Sequence, residues 1–109
     1  MASIAVREIY LETLHSLGDI REEVEAAIRR HTVERISDKI ASLRAEDRRW
    51  EEKYGCSYEV FREKTSSDPD FVERLHREQP TWELDVAHWE FCHKGVQDWT
   101  EELQRILTS

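Results

Sequence analysis

The chain has 109 residues, of which 37% are charged and 39% are aliphatic or aromatic, and its formal net charge is −8. This composition favours one soluble, helix-rich domain over a disordered chain, and three glycines and two prolines are too few for the turns of an all-β protein. Without a membrane-spanning apolar run or a signal peptide, we expect a cytoplasmic protein with two free thiols, and its acidity favours a basic partner over nucleic acid.

The first ten residues, MASIAVREIY, predict a short strand that runs into a helix. Ile4 and Val6 alternate with the outward positions Ser3, Ala5 and Arg7, and three- and four-residue spacing begins after them. A helix from the first residue is the alternative.

The segment LGDIREE predicts the boundary between two helices. Gly18 suits the C-terminal end of the first helix, and Asp19 can cap the second, with Glu22 three residues later.

The second helix is predicted over residues 20–53 and carries a long apolar seam. Its apolar side chains recur at three- and four-residue steps, with Asp47 as the one polar residue among them in the second half. Because an uncovered seam of this length is rare in a soluble monomer, we expect the helix to pair in a homodimer. The predicted dimer-seam residues are Ile28, Ile36, Ile40, Leu43 and Trp50.

Three further helices are predicted from their capping residues. Gly55 ends the long helix, and each later helix follows a residue whose side chain can accept a hydrogen bond from the first turn. Pro69 suits the first helical position, and the last helix is expected to end at about residue 107. The predicted N-caps are Ser57, Asp68 and Thr81.

The last helix carries two apolar stripes on opposite sides. The broad one is expected to pack in the core; it holds Trp82, Val86, Trp89, Cys92 or His93, Val96, Trp99, Leu103, Ile106 and Leu107. A narrow second stripe runs among charged residues and must meet either another helix of the chain or a partner. It consists of Leu84, Ala87, Phe91 and Gly95, and the acidic residues of this side are Glu83, Glu90, Asp98, Glu101 and Glu102.

No motif in the chain predicts catalysis or a cofactor. His88 and Cys92 lie one helical turn apart, with His76 and His93 elsewhere, but no CxxC or HxxxH pair accompanies them. Cys56 lacks a recognisable neighbouring base, and no phosphate loop, nucleophile elbow or HExxH motif occurs. We therefore predict a protein that is not an enzyme and needs neither a metal nor another cofactor.

Two stretches resemble small antitoxin-like proteins of prokaryotic toxin–antitoxin modules. EKYGCSYEVFREK is similar to their Lys-Tyr-Gly-x-Ser-x-Glu-x-Phe turn, and WELDVAHWEF is similar to the acidic, Trp-containing segment that follows it. The N-terminal strand and the helices around LGDIREEVEAAIRRH resemble a ribbon–helix–helix fold. That resemblance implies a homodimer with DNA contacts from Ser3, Ala5 and Arg7, of which only Arg7 is a good base or phosphate reader.

The expected fold is therefore mainly α, with a short N-terminal strand, four or five helices and the long central helix in a dimer. Residues 1–54 would form the ribbon–helix–helix-like part and residues 55–109 the acidic, helical partner-binding region, and we expect one compact unit. The resemblance implies a module that neutralises a basic, RNA-cleaving toxin, with weak autoregulatory DNA binding. The alternative is a non-enzymatic, dimeric structural or scaffolding protein.

The acidic side of the last helix is expected to speed encounter with a basic partner, while buried aromatic anchors would supply affinity. Tyr58 and Phe91 are the candidate anchors, and in the alternative interpretation they pack against each other inside one subunit. The predicted partner-binding residues are Tyr58, Glu83, Leu84, Glu90, Phe91, Asp98, Glu101 and Glu102.

Overall fold

The structure, a computed structural model, describes residues 7–109, and the predicted mainly helical fold is confirmed for them. No strand occurs within this range. The helices are α1 (Glu8–Leu17), α2 (Ile20–Tyr54), α3 (Tyr58–Ser67), α4 (Pro69–Glu78) and α5 (Trp82–Leu107).

The predicted N-terminal strand lies almost entirely outside the described residues. This applies to Ser3 and Ala5 among the expected DNA contacts. Arg7 is described and has an extended backbone, but it is the N-cap residue of α1, and Tyr10 and Leu11 donate backbone hydrogen bonds to its carbonyl. At Arg7 the chain therefore enters a helix.

Local capping signals set most of the helix boundaries. The backbone N–H of Glu22 donates to Asp19, that of Val60 to Ser57 and that of Phe71 to Asp68, as predicted. Thr81 is the exception. It occupies the N-cap position of α5, but its side chain makes no capping hydrogen bond, so the prediction that Thr81 caps this helix is wrong.

Gly55 ends α2 with a φ of 71°, a left-handed conformation that a residue with a Cβ adopts at a cost. Its backbone N–H donates to the carbonyl of Glu51, which completes the last turn. The predicted role of Gly55 in ending the long helix is confirmed.

The described residues divide into two compact units, one ending at residue 35 and the other spanning residues 36–109, so the division falls inside α2. Among the described residues of the first unit none is buried, and α1 contributes no buried side chain. In the second unit the remainder of α2 packs with α3, α4 and α5 around a core that contains Phe61, Leu75, Val86 and Trp89.

Most of the seam assigned to a dimer is covered within the second unit. Ile36, Ile40 and Leu43 are buried and Trp50 is half-buried. Gly95 of α5 approaches Leu43 so closely that a Cβ built on it would lie 2.8 Å from Leu43 Cδ1. The expectation that nothing in the chain covers the seam is wrong for these residues, because they are buried or half-buried within the second unit, where Gly95 of α5 packs against Leu43.

Candidate functional site

The inward face of α5 is the centre of the core of the second unit. Trp89 and Phe61 are fully buried, and their ring centroids lie 5.3 Å apart. Tyr54 stacks on Trp89 at 5.8 Å and Tyr58 meets it edge-on at 5.5 Å. The predicted broad Trp-containing stripe is therefore a packing surface around Val86, Trp89 and Cys92, which fixes the direction of the opposite face of α5, whereas Trp99 and Leu107 of the same stripe are exposed, so the prediction is wrong for them.

Asp47 is the polar residue in the apolar seam, and its carboxylate interacts with two side chains of α5. Trp89 donates its indole N–H to Asp47 at 2.7 Å, and His93 Nδ1 lies 3.2 Å from the same carboxylate. His93 Nε2 lies 2.6 Å from Glu59 at the start of α3. The imidazole thus connects α2, α3 and α5.

The charged form of His93 is favoured by this arrangement. Burial acts to lower the pKa of His93, but the hydrogen bonds and charges of Asp47 and Glu59 outweigh it and raise the pKa above 6.5. The pKa of Glu59 is lowered, first by a bond from its own backbone N–H and then by His93. Protonated His93 can donate from both ring nitrogens, so the network is fully satisfied when the imidazole is charged.

A second polar group joins α2 to the first turn of α5. Lys53 Nζ and the Tyr54 hydroxyl donate to the same Asp85 oxygen, at 2.6 and 2.5 Å. Burial would raise the pKa of Asp85, but these two bonds lower it. Burial, together with the neighbouring Asp85, raises the pKa of Tyr54. The group holds the two helices in register.

Two of the residues considered for a metal or a nucleophile, Cys92 and His88, lie in different settings. Cys92 is buried, and its thiol donates to Glu46 at 2.9 Å. Burial first, and the Glu46 carboxylate second, raise the pKa of Cys92 to about 12, so the thiol stays protonated. His88 is exposed, and within residues 7–109 no three His, Cys, Asp or Glu side chains are grouped so that they could hold a metal.

The outward face of α5 presents two large apolar side chains to solvent. Leu84 is 67% exposed and Phe91 is 69% exposed. They are seven residues apart on the same side of the helix, about 10 Å along its axis, and exposed Ala87 lies between them. We call Leu84, Ala87 and Phe91 the outer stripe.

Acidic side chains outnumber basic ones along α5. Over Trp82–Leu107 there are six Asp and Glu residues against two Lys and Arg residues. Glu83, Asp98 and Glu101 are exposed, whereas Glu90 pairs with Lys94 at 3.2 Å and Glu102 pairs with Arg105. The structure therefore places the predicted acidic residues of α5 on or beside its solvent face.

Two residues of the predicted binding face lie elsewhere. Tyr58 is half-buried, packs against Trp89 and lies 4.8 Å from the His93 ring, so it belongs to the core and is not a free anchor. Gly95 faces Leu43 of α2 and is not part of the outer stripe. The alternative in which Phe91 packs on Tyr58 inside one subunit is wrong as well, since Phe91 is exposed.

The remaining predicted residues are Ile28 and Arg7, both in the first unit. Ile28 is 46% exposed, and it is the one predicted dimer-seam residue that the chain leaves largely uncovered. Arg7 is exposed, and its guanidinium lies 5.6 Å from the centre of the Tyr10 ring.

Sequence reasoning missed the partners of Asp47 and Asp85. A carboxylate in an apolar seam was a usable signal, because a buried charge requires hydrogen-bond partners. The identity of those partners depends on residues more than thirty positions away in the chain.

Comparison with protein-family models, with curated proteins and with solved structures finds no match to this chain. None of the described helices has both the length and the apolar character needed to cross a membrane.

Proposed function

We propose that the chain is an antitoxin-like protein-binding module that holds and neutralises a basic, RNA-cleaving toxin through the outward face of α5. The observation that supports this most is the outer stripe, whose two large apolar side chains are exposed on a helix fixed from behind by the aromatic core. A rigid helix that presents apolar anchors loses little conformational entropy on binding.

The outer stripe suits a helix-in-groove or helix-on-surface contact. Burying an exposed Leu or Phe side chain contributes about 1.5–3 kcal/mol each, so Leu84 and Phe91 are the residues that would supply affinity. The surrounding acidic residues would accelerate encounter with a basic surface and oppose acidic partners. Both properties match a basic protein that itself binds RNA.

The change Phe91→Asp tests this proposal. Because Phe91 is exposed, the variant should fold with unchanged thermal stability, yet it should lose copurification with the proposed basic toxin and fail to suppress that toxin's ribonuclease activity. We expect at least about a hundredfold weaker binding, since the apolar anchor is lost and a charged carboxylate would have to be desolvated in its place.

Gln97→Asp is the matched control, since it adds the same charge at another exposed position of α5 and should leave binding within about threefold. Retention of full binding by the Phe91 variant would contradict the proposed interface. Absence of any basic protein partner would favour the structural or scaffolding alternative, in which the aromatic core serves only to build the fold.

We also propose a homodimer, although most of the expected seam is buried within the second unit. Exposed Ile28 remains a candidate contact in the first unit. Weak autoregulatory DNA binding would depend on Arg7 together with Ser3 and Ala5; the acidic character of the chain opposes it, since DNA binding depends on neutralising phosphates with basic side chains.

A further inference from the structure

A groove between α2 and α5 lies beyond the end of the core of the second unit. Near Trp89, α3 covers the junction of α2 and α5, as its contacts with Trp89 and His93 show. Farther along, a groove of 430 Å³ runs between residues 37–48 of α2 and residues 100–103 of α5, and no residue of α3 or α4 lines it.

The lining of this groove has an apolar floor and a basic rim. Ile40 and Leu103 contribute the large apolar groups, and Ala41 and Ala45, one turn apart, leave room for a helix to approach. The charged lining residues are Arg44 and Arg48, also one turn apart, and no carboxylate lines the groove. A helix with an apolar face and acidic residues at its edge fits this chemistry.

Helix α1 has the complementary features. It contains no buried residue, and Ile9, Tyr10 and Leu17 are each more than half exposed. At about 100° per residue these three fall within one arc of the helix, and Glu8 and Glu12 border that arc on the side of Ile9. The two glutamates are spaced by four residues, as are the two arginines of the groove.

We infer that α1 of a second copy of this chain occupies the groove, with Glu8 and Glu12 against Arg44 and Arg48. The ten residues of α1 span about 15 Å, and the twelve residues 37–48 span about 18 Å, so the lengths match. Each copy offers one α1 and one groove, and a reciprocal exchange therefore gives a closed, twofold-symmetric dimer.

This inference rests on the homodimer proposal and specifies its contact; it does not depend on the toxin partner. Charge reversal tests it. A chain with Arg44→Glu and Arg48→Glu, or one with Glu8→Lys and Glu12→Lys, should be monomeric by sedimentation velocity at concentrations where the unchanged chain is dimeric. Mixed together, the two altered chains should form a heterodimer, because both contacts again join opposite charges.

Each reversed pair should raise the dimer dissociation constant about tenfold or more. A chain with Arg30→Glu and Arg77→Glu undergoes the same change in net charge away from the groove and should dimerise like the unchanged chain. Ala41→Trp fills the groove without altering charge and should also give a monomer, which keeps the test valid if the lysine substitutions weaken α1.

If the unchanged chain is monomeric at every concentration, both the homodimer and this contact are overturned. A monomer is the result expected if α1 occupied the groove of its own chain. A dimer that persists in the Arg44/Arg48 and Ala41 variants would overturn this contact alone, as would failure of the two charge-reversed chains to pair. None of these results bears on binding of a basic protein by the outer stripe, which Phe91→Asp measures separately.

Discussion

His93 shows how one side chain can hold three helices together. It lies between Asp47 of α2 and Glu59 of α3, and its ring contacts Tyr58. A charged imidazole satisfies both carboxylates, whereas a neutral ring can donate to only one of them. The network therefore depends on protonation.

Stability should accordingly fall at alkaline pH. Because the folded pKa of His93 lies above its ordinary 6.5, its contribution is fully present below pH 6.5 and is lost as pH rises through the raised pKa. Glu59 has the opposite pH dependence. Because its folded pKa lies below 4.5, its contribution to stability is present above pH 4.5 and is lost as pH falls through the lowered pKa. Melting temperature measured across pH should thus be highest between these limits.

His93→Gln should remove most of the alkaline decrease and cost about 1–2 kcal/mol near pH 6, a modest value because Glu59 is largely exposed. His31→Gln, at an exposed position of α2, serves as the control. An unchanged alkaline decrease in the His93 variant would show that another group causes it.

At the scale of the elements, α2 and α5 are held close by a glycine. Gly95 lies within α5 where a side chain would meet buried Leu43, whereas the rest of the helix interior uses residues with a Cβ. A glycine inside a helix ordinarily costs about 0.5–1 kcal/mol, so close approach of Leu43 is what this residue permits.

Gly95→Val should therefore lower the free energy of unfolding by about 1–3 kcal/mol, measured by chemical denaturation, because the added methyl groups force Leu43 out of its packed position. Gln97→Val is the matched control, since it places the same β-branched residue at an exposed position of the same helix and should cost less than about 0.5 kcal/mol. Equal costs at the two positions would mean that α5 tolerates a side chain at Gly95.

At the scale of the whole molecule, the buried residues are concentrated in the second unit. The buried side chains of α2 are Ile36, Ile40 and Leu43, and none lies before residue 36, although α2 is continuous over 35 residues. Helices draw most of their stability from tertiary packing rather than from intrinsic propensity. The two parts of α2, before and after residue 36, should therefore differ in their stability against local unfolding.

Hydrogen exchange measured on a dilute sample should reveal this difference. We expect amides of residues 36–54 to exchange at least about tenfold more slowly than those of residues 20–35, after correction for intrinsic rates. Residues 20–35 serve as the internal control for residues 36–54. Uniform protection along α2 would contradict the expectation.

The sequence by itself determined the helices and their ends. Asp19, Ser57 and Asp68 cap the helices that they were predicted to cap, and Gly55 ends α2, because capping and left-handed turns depend on neighbouring residues only. Helical periodicity likewise identified the inward face of α5, since that pattern is local.

Only the tertiary structure decided which surfaces meet. The pattern of an apolar seam indicates that it is covered but not by which element, so Leu43 could be assigned to a dimer although Gly95 of α5 in the same chain packs against it. Tyr58 and Phe91 are both aromatic, yet the first is in the core and the second in solvent. The burial of each ring depends on how α3 packs onto α5. This packing brings together residues 34 positions apart, and no local sequence pattern encodes such a contact.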